Sequence, residues 1–255
     1  MKKASVLRFA ERLEPMKAVL LFCLLLPVAA ANANEPKLEE APIDTRNVVS
    51  IQRGAQVFVN YCLSCHSATA MRYNRLVDIG LTPQQIKDNL MFAADKPGAP
   101  MTVAMRPADA KEWFGVAPPD LSVAARARGP DWLYAYLRGF YRDDSTPTGW
   151  NNLVFPNVGM PHVLWELQGQ QALKMQDRKG EHGKEHVRTL TIATPGTMNA
   201  RAYDSLAADL VNYLVFMGEP ARQSRIQIGY AVLIFLGVLF VPIYLLKQDY
   251  WKEVH

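Results

Sequence analysis

Five consecutive residues, Cys62-Leu63-Ser64-Cys65-His66, constrain this chain more than any other part of it. Side chains three apart on a helical turn share one face, so both sulfurs of a C-x-x-C can meet one flat partner while the next residue aims an imidazole at its centre. That is the chemistry of a c-type haem, held by two thioether bonds to the porphyrin vinyl groups and by a proximal histidine on the iron. A redox dithiol needs no adjacent histidine, and a zinc site needs a second ligand pair that the sequence lacks. The chain has three cysteines, and the third, Cys23, sits in an apolar run near the start, so no disulfide framework is available.

Apolar segments at both ends point to a membrane. Lys2, Lys3, Arg8, Arg12 and Lys17 precede the run Ala18 to Ala31, and Ala31 and Ala33 fit an A-x-A cleavage site. Residues 1–33 are therefore expected to be a secretory signal peptide, with Asn34 the first mature residue. Phe22, rather than a small residue, precedes Cys23, which argues against lipoprotein processing. Near the other end no charged residue occurs from Ile228 to Leu246, about 28 Å of helix against a hydrocarbon core of roughly 30 Å. The expected organisation is an exported haem domain over residues 34–225, one transmembrane helix over 226–246 and a cytoplasmic tail over 247–255. This describes a single-pass protein of a bacterial inner membrane with its haem domain in the periplasm. The flanking pairs Arg222/Arg225 and Lys247/Lys252 balance, so orientation rests on the leader. Taking away residues 1–33 leaves 23 basic and 22 acidic side chains, a near-neutral chain that gives nucleic acid nothing to hold.

An electron carrier needs a second strong axial ligand, because a filled iron site cannot bind oxygen or peroxide. A peroxidase or gas sensor would instead keep that position open. Among the methionines, Met160 stands in the loop Phe155-Pro-Asn-Val-Gly-Met-Pro161, where a thioether is free of helical constraint. On spacing alone Met198 and His162 remain its rivals. Met217 lies on an amphipathic helix and reads as core.

Helical periodicity is expected around Ser50 to Cys62, over Asp131 to Phe140, and over Arg201 to Met217, the last ended by Gly218 and Pro220. Residues Gln168 to Leu190 are polar and read as a surface loop or hairpin. His182 and His186 would pair on a helix, but Gly180 and Gly183 argue against one there, so a solvated segment is expected. Glu35, Glu39, Glu40 and Asp44 form an acidic run that reads as a mobile N-terminal segment rather than a docking patch.

An ordered set of stretches then resembles the cytochrome c1 family, the haem subunits of quinol–cytochrome c oxidoreductase (cytochrome bc1) complexes. They are Arg53-Gly-Ala-Gln-Val-Phe58 leading into the haem motif, Ala117-Pro-Pro-Asp-Leu-Ser122, Arg126-Ala-Arg128, Pro147-Thr-Gly149, Phe155-Pro156 up to Met160, and Asp209-Leu-Val-Asn-Tyr-Leu214 through Gly218-Glu-Pro220. The resemblance implies a mostly α, cytochrome c-like haem domain with loop or hairpin insertions and one C-terminal transmembrane helix. It implies one covalent haem c held by Cys62 and Cys65, ligated by His66 and Met160, with Arg128 near a propionate and Pro118-Pro119 packed near the ring. The implied role is a one-electron relay from a Rieske iron–sulfur protein to a soluble or tethered cytochrome c, beside cytochrome b, with no enzymatic activity of its own. A free-standing tethered cytochrome serving a terminal oxidase is the alternative; it would lack these stretches. One departure is Pro161-His162-Val-Leu-Trp165, where the family often has small residues and further prolines; His162 reads as an ordinary loop histidine or as a hydrogen-bonding group near the haem.

Overall fold

The computed structural model describes residues 38–180 and 183–252; the expected leader lies outside the described residues, as do Glu35 and His182. Helix α1, Val48–Val57, widens into a π-helical turn, Phe58–Cys62. Then come β1 (Ala68–Arg72), a 3-10 helix (Tyr73–Ile79), α2 (Pro83–Asn89), β2 (Pro100–Met101), α3 (Pro107–Phe114), α4 (Ala124–Arg128) and α5 (Pro130–Arg138). The second half contains β3 (Phe140–Arg142), β4 (Trp150–Asn152), α6 (Trp165–Gln168), β5 (Gly169–Gly180), β6 (Gly183–Pro195), α7 (Ala200–Gly218) and α8 (Arg222–Trp251). Helices make up about half of the described residues, and the described strands pair two by two, all antiparallel: β1 with β2 across the intervening helices, and β3 with β4 and β5 with β6 as hairpins.

Two capped helices build the core. The Asn47 side chain accepts the Ser50 N–H at 3.1 Å and starts α1; Asn199 accepts the Ala202 N–H at 2.9 Å and starts α7. The two helices cross at Gly54, whose missing side chain lets the backbone of Asp209 come close. Ile51, Ala55 and Phe58 of the first helix bury against Leu210, Tyr213 and Leu214 of the second, with the Phe58 and Tyr213 rings 5.3 Å apart. A polar clamp closes one side: Ser50 Oγ donates to Asp209 Oδ1 at 2.6 Å, Arg53 Nε to Asp209 Oδ2 at 2.5 Å, and Asn212 Nδ2 to Ser50 Oγ at 3.0 Å. Every buried polar group of that clamp gains a partner except Asn212 Oδ1.

Helix α5 opens on Pro130, whose missing N–H costs nothing at a helix start. Tyr203 on α7 donates its hydroxyl to the Leu137 carbonyl at 2.8 Å, locking the two helices together. From Glu39 to Asp44, the described part of the acidic run, the segment is held against the helices, contrary to the reading of it as a mobile, solvated segment. Glu39 pairs with Arg138 at 2.5 Å, the Ala41 N–H donates to Asp131 at 2.8 Å, and the Asp44 carbonyl accepts from Asn212 at 2.8 Å. With Asp44 also paired to Arg46 at 3.1 Å, this segment is a strap over the helices and not a free acidic patch.

The polar stretch after Gln168 is an antiparallel hairpin, from Gly169 opposite Pro195 to Gly180 opposite Gly183, with one register shift between Gln170 and Gln171. Gln171 Nε2 roots it by donating to the carbonyls of Arg138 and Phe140, both at 2.8 Å. His186 lies on strand β6, so the H-x-x-x-H spacing does not fall on a helix. Helix α8 is the one span among the described residues long and apolar enough to cross a membrane. At 30 residues it is about 45 Å long, with Pro242 inside it, and it extends past the uncharged 226–246 core at both ends.

Candidate functional site

One apolar cavity of about 550 Å³ collects the residues that the sequence singled out, within the size range of cofactor sites. Cys62, Cys65 and His66 reach it from the end of α1, Pro118 and Pro119 from the loop before α4, and Arg128, Trp132 and Tyr136 from α4 and α5. Gly159 and Met160 enter from the loop after β4, while Leu210 and Leu214 of α7 form its floor. Residues nearly a hundred positions apart in sequence thus share one wall.

His66 is held for use through one nitrogen. Its Nδ1 lies 2.8 Å from the Pro119 carbonyl, an acceptor only, so Nδ1 carries the hydrogen and Nε2 keeps its lone pair. Burial lowers the His66 pKa, against opposing pulls from Pro119 and Asp120, which keeps the ring neutral and able to ligate. The Pro119 carbonyl is itself fixed by its neighbour. Asp120 accepts from the Thr69 N–H at 2.9 Å, the Thr69 hydroxyl at 2.8 Å and the Ser122 N–H at 2.8 Å. Burial would raise the Asp120 pKa, but these bonds outweigh it and hold the carboxyl below its usual range.

The cysteines are not joined to each other. Burial pushes the Cys62 thiol up to about 12, with Cys65 adding to the effect, so a free thiol at 62 stays protonated. A redox dithiol needs a thiolate at neutral pH, which this burial opposes. Among the described residues there is also no cluster of three or more His, Cys, Asp or Glu side chains able to hold a metal ion. A carbon–sulfur thioether needs no ionised sulfur once formed.

Met160 sits on a loop fastened by two asparagines. Asn152 Oδ1 accepts from the Val154 N–H at 2.9 Å and the Phe155 N–H at 3.2 Å; Asn151 Oδ1 accepts from Asn157 at 2.8 Å, where φ is 59°. A Cβ at Gly159 would stand 2.7 Å from Val116 Cγ1 and 3.3 Å from the Phe114 carbonyl oxygen, so the loop lies close against the segment after α3 at a residue without a side chain. The Met160 sulfur accepts from the Tyr136 hydroxyl at 3.4 Å, and burial raises the Tyr136 pKa, so that hydroxyl keeps its proton.

The two rivals for the distal position lie elsewhere. Met198 packs partly buried against the core. His162 is 2 % exposed, and its ring stacks on Phe140 at 4.8 Å and 4° and meets Trp150 edge-on at 5.2 Å. It is therefore a core histidine and not a solvated loop residue. Burial pushes its pKa down to about 4, and its Nε2 has no hydrogen-bond partner within normal geometry; the Gln168 Oε1, likewise unpaired, is the acceptor that would favour its charged form.

Arg128 lies at the cavity with its guanidinium 5.0 Å over the Trp132 ring and 5.9 Å over Phe155. Among the described residues no carboxylate pairs with it, so its charge is available to an anionic group entering the cavity. An apolar slot with two sulfurs, a neutral imidazole, a thioether and a cation suits an iron porphyrin bearing carboxylates. Sequence reasoning missed Asn151, Asn152 and Tyr136. The signal for the asparagines was two adjacent poor strand formers ending a strand, which marks side chains used for hydrogen bonds.

The chain is similar to known proteins over most of its length. The family model "Cytochrome C1 family" matches residues 39–254. The chain is 50% identical over 241 residues to a protein of Nitrosomonas europaea named ammonia monooxygenase gamma subunit, covering 94% of this chain and 99% of that protein. It is 47% identical over 236 residues to the cytochrome c1 of Allochromatium vinosum, covering 92% and 97%. With the cytochrome c1 of Rhodospirillum rubrum it shares 29% identity over 237 residues, covering 80% and 81%.

Proposed function

The chain belongs to the cytochrome c1 family, haem-bearing electron-transfer subunits of the cytochrome bc1 complex, and from that premise we propose that it relays single electrons from a Rieske iron–sulfur protein to a soluble or tethered cytochrome c. The observation that carries the site assignment is the convergence of Cys62, Cys65, His66 and Met160 on one apolar cavity. Haem c, when bound there, supplies a one-electron ferrous/ferric couple. Cys62 and Cys65 would hold the group covalently, His66 would offer Nε2 to the iron, and Met160 would offer its sulfur. Arg128, at the cavity, would pair with a propionate of the group and favour its ionised form. The apolar walls would keep water from the group, and with His66 and Met160 both given to the iron a small oxidant would find no free place on it, in keeping with a subunit that makes and breaks no substrate bond.

Residues 1–33 direct export, the haem domain stands in the periplasm, and α8 anchors it in the cytoplasmic membrane beside cytochrome b. A chain ending near Arg225 is then expected to be soluble, to carry haem and to exchange electrons with soluble cytochrome c. The same chain fails to restore quinol-dependent cytochrome c reduction to membranes lacking the parent, because tethering sets the local concentration. The deciding measurement is purification of the full chain in mild detergent. Recovery with a b-type cytochrome, an iron–sulfur protein and quinol–cytochrome c reductase activity supports the relay. A second reading takes the name of the Nitrosomonas relative at its word; recovery with an ammonia-oxidising assembly would favour it. Recovery alone, with quinol oxidation unaffected by deletion, would favour a free-standing tethered carrier.

A further inference from the structure

We propose that Tyr136 is a positioning residue for the distal ligand: its hydroxyl hydrogen-bonds the Met160 sulfur, steadies that sulfur toward the iron and raises the reduction potential of the site. The inference rests on the reading of Met160 as an iron ligand. A thioether sulfur carries two lone pairs, so one can accept from a hydroxyl while the other faces the cavity. At 3.4 Å the Tyr136 contact is a normal O–H···S hydrogen bond, and it is the sole partner of that hydroxyl among the described residues.

Sulfur is a weak acceptor, so a partly buried tyrosine hydroxyl is not drawn to it by strength alone. The fold brings the two groups together from both sides. The Tyr136 ring stacks on Trp132 at 4.9 Å and 12° and meets Phe140 edge-on at 5.0 Å, which fixes its direction from α5. On the other side Asn152 Nδ2 donates to the Tyr136 carbonyl at 2.8 Å. The same side chain, through Oδ1, accepts the Val154 and Phe155 N–H groups that begin the Met160 loop. One asparagine thus ties the helix bearing the hydroxyl to the loop bearing the sulfur.

The direction of the effect follows from charge. A sulfur that gives density to a hydrogen donates less to iron, and the ferric state, which needs that donation more, loses stabilisation. The O–H dipole also turns its positive end toward the site and favours the state with the extra electron. Hydrogen bonds next to iron ligands are among the levers by which a protein sets potential. The hydrogen bond also restrains a flexible side chain with three rotatable bonds, and so slows its departure from the metal.

Tyr136→Phe tests this in the haem-loaded, full-length protein, because phenylalanine keeps both ring contacts and loses only the hydroxyl. The expected result is intact covalent haem, a lower reduction potential, a displaced thioether-to-ferric-iron charge-transfer band, and several-fold faster replacement of the thioether by added imidazole. Met160→Leu is measured alongside and is expected to lose the band, lower the potential further and open the ferrous iron to carbon monoxide. If Met160→Leu loses the band while Tyr136→Phe keeps the parent's potential, band and imidazole rate, the hydroxyl does nothing and the inference is overturned with the ligand assignment intact. If Met160→Leu itself keeps the parent's band and potential, the ligand assignment fails and the inference with it.

Discussion

A chain with both Cys62 and Cys65 replaced by serine retains no haem on a denaturing gel, whereas the parent keeps it and each single variant keeps part of it. Serine is close to cysteine in size, so the end of α1 is not greatly disturbed, but an ether cannot replace the thioether made at the vinyl carbons. His66 and Met160 still face the cavity, so some haem binds in native buffer, and its pyridine adduct absorbs where an unattached haem does. The loss reaches beyond the cofactor. Without the attached ring the apolar lining of this cleft is left to water, and the packing that the cofactor would supply against it is lost. The double variant is therefore expected to accumulate poorly and to show early proteolysis. Haem that stays with the double variant through denaturation would refute the attachment.

What the sequence disclosed about this site depended on how local each interaction is. The attachment motif is five residues long and carries its own chemistry, so it could be read without a fold. The second axial group stands 94 positions after His66, and spacing alone could not separate Met160 from Met198 or His162; the ordered resemblance to a family singled it out. In the structure Met160 faces the cavity, while the Phe140 and Trp150 rings enclose His162 in a pocket of its own. Tyr136 gave no sign, because an O–H···S contact arises only when a helix and a distant loop are held together through Asn152.

The same distinction explains the misread N-terminal segment. Its acidic residues look like a solvated tail when viewed alone, but the partner of Glu39 is Arg138, on a helix far along the chain. The anchor was legible in kind but not in length. A run without charge marks only the part of a helix that must lie in hydrocarbon, whereas hydrogen bonding carries α8 on through polar residues to Trp251. The π-helical turn before Cys62 could not be foreseen from periodicity, since it changes the phase of the helix within a few residues.

Gly54→Ala is expected to destabilise the haem domain by about 3 kcal/mol, although the same change inside an ordinary helix gains about 1 kcal/mol. The reversal comes from what the new methyl group meets. A Cβ at position 54 would lie 2.7 Å from the Tyr213 Cβ and the same distance from the Asp209 carbonyl carbon, with the Asp209 carbonyl oxygen closer still. Those atoms are backbone or directly attached to it, so no side-chain rotation relieves the clash and α1 and α7 must move apart. Separation stretches the bonds from Ser50 and Arg53 to Asp209, now 2.5 to 2.9 Å, and opens the packing of Phe58 on Tyr213. It also moves the cavity floor, because Leu210 and Leu214 ride on α7 while Cys62 and His66 follow from α1. Gly98→Ala, at a position with nothing within 4 Å of the new carbon, supplies the control and should leave stability within about 0.5 kcal/mol of the parent. Urea unfolding of the soluble haem domain, followed through the haem absorbance and far-ultraviolet dichroism, measures both. A Gly54→Ala midpoint at or above that of the parent would mean that the helices do not need their close approach at this residue, and the crossing described above would have to be abandoned as the element that sets the distance between the proximal ligand and the floor of its pocket.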